Sequence, residues 1–254
     1  MPSFRHGEAE IAYLDQGQNP RHPTPIVLVH GFASNAQVNW VYPGWVGELT
    51  RSGRRVIALD NRGHGQSAKL NDASAYHTER MAEDVVALID HLGIERADFM
   101  GYSMGARICA FVALQHPERV RKLILGGLGG RLVEGVGLPE SIADALLAPS
   151  LDDVTDQTGR TFRSFAEQTK SDRKALAACI RGSRQTLTRE EVASIKTPTL
   201  IAVGTKDDVA GSPHELAAMM PNAKALDIPN RDHMLSVGDK VFKAAVLQFL
   251  DSGL

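Results

Sequence analysis

The sequence predicts an α/β fold, a mostly parallel central sheet of about eight strands flanked by helices. Three observations carry the prediction. A continuous apolar run at residues 26–29 and mostly apolar stretches at 55–59, 97–100, 122–125 and 198–203 are as expected of strands covered on both faces. Helical patterns separate them along most of the chain. Several runs end abruptly in turns rich in Gly, Asp, His and Ser, where an open α/β sheet carries its functional loops.

Taken in order, residues 3–16 alternate as two short strands, with Phe4, Ile11 and Tyr13 on one face. Residues 18–25 are turn-rich, and the buried strand 26–29 then stops at His30-Gly31-Phe32. A helical stretch bearing Trp40 and Trp45 is broken by Pro43-Gly44. Strand 55–59 closes in Asp60-Asn61-Arg62-Gly63-His64-Gly65-Gln66-Ser67. Met81, Val85, Leu88, Ile89 and Leu92 recur at helical spacing, and Gly93 stops that helix. Strand 97–100 enters Gly101-Tyr102-Ser103-Met104-Gly105 and leaves as a helix over 106–115, ended by His116-Pro117. Strand 122–125 follows.

Between 128 and 195 the alternation stops. Helices are expected over 140–147, 160–170, 173–182 and 189–195, with Ile142, Leu146, Phe162, Phe165, Leu176 and Ile180 on apolar faces. The segment is too short to be comfortable as an independent domain, and it reads as a cap over the loop edge of the sheet. The core is then 1–127 with 196–254, and the cap 128–195. Strand 198–203 ends in Gly204-Thr205-Lys206-Asp207-Asp208, and Ser212-Pro213 opens a helix as N-cap and first residue. Strand 223–228 leads into Pro229-Asn230-Arg231-Asp232-His233 before a closing helix with Phe242, Ala245, Phe249 and Leu250.

Composition excludes several classes. The chain has 254 residues, 43% hydrophobic and 23% charged, with a net charge of −2. No basic surplus exists to neutralise nucleic-acid phosphates, and no apolar run reaches membrane-spanning length. The N-terminal residues carry no signal-peptide pattern, so a cytoplasmic setting is expected. Cys109 and Cys179 lie far apart in helical patterns and read as thiols; no metal-ligand spacing is present.

The chemistry concentrates at strand ends. A serine between two glycines, on a sharp strand-to-helix turn, is lifted clear with its hydroxyl exposed. The helix beginning beside Ser103 offers unpaired amides to a developing negative charge. Ser103 needs a base within hydrogen-bond reach to become a nucleophile. His233, in the loop after the last strand, is the candidate; His214, inside the first turn of a helix, is the rival. Asp207 and Asp208 both qualify by position as the acid that orients the base.

The order Ser, Asp, His at three strand ends, with the His30-Gly31-Phe32 turn and the 60–67 motif, resembles the α/β-hydrolase superfamily along almost the whole chain, on its serine esterase (carboxylesterase) branch. The resemblance favours Asp207, third after Gly204, with Asp208 as the alternative. It implies an oxyanion hole built from the amides of Phe32 and Met104, and structural roles for His30 and the 60–67 motif, in which Arg62 pairs locally. Relatives often place Gly before the histidine, where this chain has Asp232. The implied activity is hydrolysis of carboxylic esters of small to medium apolar acyl groups through an acyl-enzyme, without cofactor or metal, and Tyr102 is a candidate pocket residue. Carbon–carbon bond hydrolysis, haloperoxidase-like or thioester chemistry on the same residues, and a non-catalytic small-ligand receptor, remain the alternatives.

Overall fold

A computed structural model describes residues 1–17 and 21–252; of the expected turn-rich segment 18–25, Gln18, Asn19 and Pro20 lie outside the described residues. The chain opens with a hairpin of β1 (Ser3–His6) and β2 (Ala9–Gln16), in which Phe4 lies opposite Ile11. It continues through β3 (Ile26–Val29), a wide π-helical turn over Gln37–Val41, α1 (Trp45–Arg51) and β4 (Val56–Leu59). Next come α2 (Thr78–His91), β5 (Ala97–Tyr102), α3 (Met104–Gln115) and β6 (Val120–Gly126). Four helices without a strand follow: α4 (Arg131–Glu134), α5 (Ile142–Leu147), α6 (Gln157–Gln168) and α7 (Arg173–Gly182). The chain then runs through α8 (Arg189–Ser194), β7 (Thr199–Gly204), α9 (Pro213–Met219), β8 (Ala223–Ile228) and α10 (Lys240–Asp251).

The eight strands form one sheet in the order β1-β2-β4-β3-β5-β6-β7-β8. Pairing is antiparallel for β1/β2 and β2/β4 and parallel from β4 onward. Side chains alternate across it, because successive residues of a strand point to opposite faces. Val27, Val29, Ile57, Leu59, Phe99, Leu123 and Leu125 pack with α2 and α3 on one face. Ile26, Leu28, Val56, Ala58, Met100, Ile124 and Leu200 pack with α1 and α10 on the other, against Trp45, Phe242 and Val246. Each fully buried Val, Leu or Ile contributes about 1.5–3 kcal/mol, which is why these strands read as mostly apolar stretches. β8 is an edge strand and is only partly covered.

The parallel register aligns the strand ends. Val29 pairs with Gly101, Tyr102 with Gly126, Gly126 with Ala202 and Gly204 with Ile228. The segments following β3, β5, β6, β7 and β8 therefore leave the sheet along one edge.

Helices α5 and α7 pack together, with Ile142, Leu146, Leu176 and Ile180 in the same apolar cluster as α2 and α3. Arg163 of α6 is buried and donates to the carbonyls of Ala145, Leu146 and Ala148, satisfying the C-terminal end of α5. Helix α6 starts three residues before the sequence expectation, because the Asp156 carboxylate accepts from the Gly159 amide and fixes the N-terminus there. The single-turn helix α4 has no counterpart in the sequence reading. Among the described residues no helix is long and apolar enough to cross a membrane.

Candidate active site

The turn between β5 and α3 is built by close approach. A Cβ on Gly101 would lie 2.2 Å from the Gly105 carbonyl oxygen, and one on Gly105 would lie 2.0 Å from that of Val29. Only glycine permits this contact of strand and helix. Ser103 sits at the apex with φ 54° and ψ −115°, a conformation that costs a non-glycine residue on the order of 1–3 kcal/mol. Two hydrogen bonds hold it: its amide donates to Gly126 O at 2.8 Å, and its carbonyl accepts from Arg107 N at 3.1 Å.

Ser103 Oγ lies 2.9 Å from His233 Nε2, and His233 Nδ1 lies 2.7 Å from Asp207 Oδ2. A carboxylate can only accept, so Nδ1 carries the proton and Nε2 is left to accept from the serine hydroxyl. The Asp207 side chain is wholly buried, and its other oxygen accepts from the amides of Val209 and Ala210 at 2.9 and 3.0 Å. Asp208 is exposed, and His214 is paired with Asp227 on the surface. Of the two acids open to the sequence, the structure brings Asp207 to the histidine.

The His233 loop is pinned from both sides. Asp232 accepts from the amides of Met234 and Leu235, which ties the turn where relatives often have glycine. Tyr102 OH donates to His233 O at 2.5 Å. Tyr102 is buried beside Ser103 and lines the cavity with its ring, its hydroxyl being already engaged.

The loop after β3 spends its amides selectively. Gly31 N donates to Asn39 Oδ1, Ala33 N to His64 Nε2, Ser34 N to Gly31 O and Ala36 N to Asp60 Oδ1. Among the described residues the Phe32 amide has no acceptor, and neither does that of Met104, the first residue of α3. His30 and His64 are both buried. Each Nδ1 donates to a carbonyl and each Nε2 accepts from an amide. Burial pushes His30 down to about 4 and His64 down to about 3, the charge of His30 adding to the latter, so both rings are neutral near pH 7.

The local pairing expected for Arg62 is replaced by a longer one. Its guanidinium grips both oxygens of Asp84 on α2 at 2.7 Å, and Nη1 donates to Ala75 O. Asp84 projects inward among the apolar Met81, Ala82, Val85, Val86, Leu88 and Ile89 of its helix, and that was its sequence signal.

Two cavity lobes meet at Ser103, and Phe32, Ser103 and Leu138 line both. The narrow lobe has a volume of about 40 Å³ and includes Met104, Arg107, Leu128, Val136 and Ile180. The wide lobe has about 190 Å³ and includes Val38, Asn39, Tyr102, Phe162, Phe165, His233 and Met234. Sequence reasoning passed over Asn39 and Arg107. Each is a polar residue within an apolar run, Val38-Asn39-Trp40 and the α3 helix, and that interruption is the signal. Arg107 is buried, and its two terminal nitrogens donate to the carbonyls of Arg131, Leu132, Gly135 and Gln185, stapling the α4 region to α3.

A sequence profile described as the alpha/beta hydrolase fold matches residues 24–128. A Mycobacterium tuberculosis protein named as a candidate non-heme bromoperoxidase is 30% identical over 248 residues, covering 88% of this chain and 90% of that protein. The chain belongs to the α/β-hydrolase family. This α/β hydrolase is also 33% identical, over 235 residues, to the dihydrolipoyllysine-residue acetyltransferase component of the acetoin cleaving system of Pseudomonas putida. That match covers 84% of this chain but spans only 60% of the acetyltransferase component's length. Among solved structures, a hydrolase from Pseudomonas aeruginosa superposes with a TM-score of 0.75 at 28% identity, covering 99% of this α/β hydrolase and 98% of the other chain.

Proposed function

We propose that this α/β hydrolase cleaves carboxylic esters through an acyl-enzyme formed on Ser103. The reading rests on one observation, the continuous hydrogen-bonded line from Ser103 Oγ through His233 to the buried Asp207 carboxylate. In this mechanism His233 Nε2 takes the serine proton as Oγ attacks the ester carbonyl, and Asp207 holds the imidazole in orientation and stabilises its charge. The unpaired amides of Phe32 and Met104 receive the oxyanion; one such donor contributes about 3–4 kcal/mol to the transition state. His233 then protonates the departing alcohol and activates the water that releases the acid. Serine as the elbow residue supports acyl transfer over epoxide opening or halide displacement, for which relatives carry aspartate there.

The test is covalent labelling by a fluorophosphonate, together with hydrolysis of p-nitrophenyl esters. Wild-type protein is expected to label once per chain and to turn over esters, and Ser103→Ala to do neither. Labelling that persists in Ser103→Ala would place the nucleophile elsewhere.

A further inference from the structure

We propose that the cleft sorts the two halves of an ester by size, taking a short acyl group in the narrow lobe and a bulky apolar alcohol in the wide one. This rests on the acyl-enzyme reading of Ser103 and His233 given above. The direction follows from proton bookkeeping. The imidazole that accepts the serine proton returns it to the leaving oxygen, so the departing alcohol must lie on the His233 side of Ser103. His233 lines the wide lobe together with Met234 and Val237. Among the described residues that form the narrow lobe, His233 is absent, and Met104, Gly127 and Leu128 stand on that side instead. The acyl chain therefore extends into the narrow lobe and the alcohol into the wide one.

Capacity sets the sizes. A water-sized group needs about 10–15 Å³ of such space. The narrow lobe, at about 40 Å³, has room for only a few water-sized groups, which suits a short acyl chain. At about 190 Å³ the wide lobe encloses a dozen or more, enough for a fused aromatic alcohol. Its walls suit one, since Phe162, Phe165, Val38 and Val237 present rings and methyl groups.

The narrow lobe contains Arg107, but both terminal nitrogens of its guanidinium are committed to the four backbone carbonyls of the staple. Those bonds hold the wall in place. The half-buried Val136 borders the narrow lobe and Phe165 the wide one, so each lobe can be enlarged separately.

The experiment compares kcat/KM for acetyl, butyryl, hexanoyl and octanoyl esters of 2-naphthol, and for methyl against 2-naphthyl butyrate. It uses wild type, Val136→Ala and Phe165→Ala, with fluorophosphonate labelling of Ser103 run in parallel. For wild type, kcat/KM is expected to fall at least about 10-fold from butyryl to octanoyl, and 2-naphthyl butyrate to exceed methyl butyrate. Val136→Ala is expected to raise the octanoyl-to-butyryl ratio several-fold. Phe165→Ala is expected to move only the naphthyl-to-methyl ratio. A rising acyl series, or an acyl ratio that responds to Phe165→Ala and not to Val136→Ala, overturns the lobe assignment while intact labelling preserves the serine hydrolase reading. Labelling without turnover of any ester also overturns the assignment. Loss of both labelling and turnover overturns it together with the reading on which it rests.

Discussion

Acidification should unlock the loop beside Ser103 before the rest of the sheet yields. His30 and His64 face each other at 5.1 Å between ring centres, and each uses Nε2 to accept an amide, from Asn61 and Ala33 respectively. Protonating either ring points a hydrogen at that amide and places a charge where water cannot reach it. Their folded pKa values, about 4 and about 3, lie below the unfolded value near 6.5. The sign is therefore fixed: the stabilisation is fully present above pH 6.5 and is lost as pH falls toward 4 and then 3. By linkage each ring forfeits roughly 2 kcal/mol between neutrality and pH 5, so the pair forfeits roughly 4, against a total stability of about 5–15 kcal/mol. Buried Asp98, whose carboxyl is pushed up by desolvation, acts in the opposite sense, so the comparison must be made between variants. Urea midpoints from pH 8 to 5 should fall less steeply for His64→Gln, whose amide oxygen can replace the acceptor without titrating. NMR titration of the ring protons in wild type should show no midpoint above pH 5 for either residue. A midpoint near 6.5, or equal pH slopes for wild type and His64→Gln, would refute the reasoning.

Three further outcomes are expected. Asp207→Asn should lower kcat by about 10⁴-fold while Asp208→Asn stays within a few-fold; comparable losses in steady-state assays would mean that the two carboxylates share the role. Gly105→Ala drives a methyl group into the Val29 carbonyl. That substitution should cost at least about 3 kcal/mol, a fall of about 6–12 °C in a thermal melt, and a wild-type Tm would show that the elbow can relax. Asp84→Asn strands the buried Arg62 guanidinium. It should destabilise by about 3–5 kcal/mol, whereas Arg62→Met with Asp84→Leu should recover most of that loss in denaturant titrations.

The parallel half of the sheet was legible in the sequence because its strands are covered on both faces, which leaves five mostly apolar stretches. The site was nearly as legible, since Gly101-x-Ser103-x-Gly105 answers a steric demand that few residues can meet. Asp207 and Asp208 could not be separated by composition, because the difference is one of direction at the end of β7. The turn made by Asp207 with the amides of Val209 and Ala210 aims one carboxylate inward and leaves its neighbour in solvent. The partner of Arg62 was hidden for another reason: it lies 22 residues away on α2, and the chain folds back to bring Asp84 beneath the 60–67 turn. Helix α4 is one turn long, below the reach of any periodicity.

The separation of the three polar groups along the chain has a consequence of its own. Ser103 lies 130 residues before His233, and the two meet only after β5, β6, β7 and β8 have paired side by side. During synthesis the elbow can form early, with its backbone already strained, yet its hydroxyl has no base until the last strand docks. On the mechanism proposed above, hydrolysis is thereby withheld until β8 has docked. The onset of turnover in a refolding experiment would serve as a clock for closure of the far edge of the sheet.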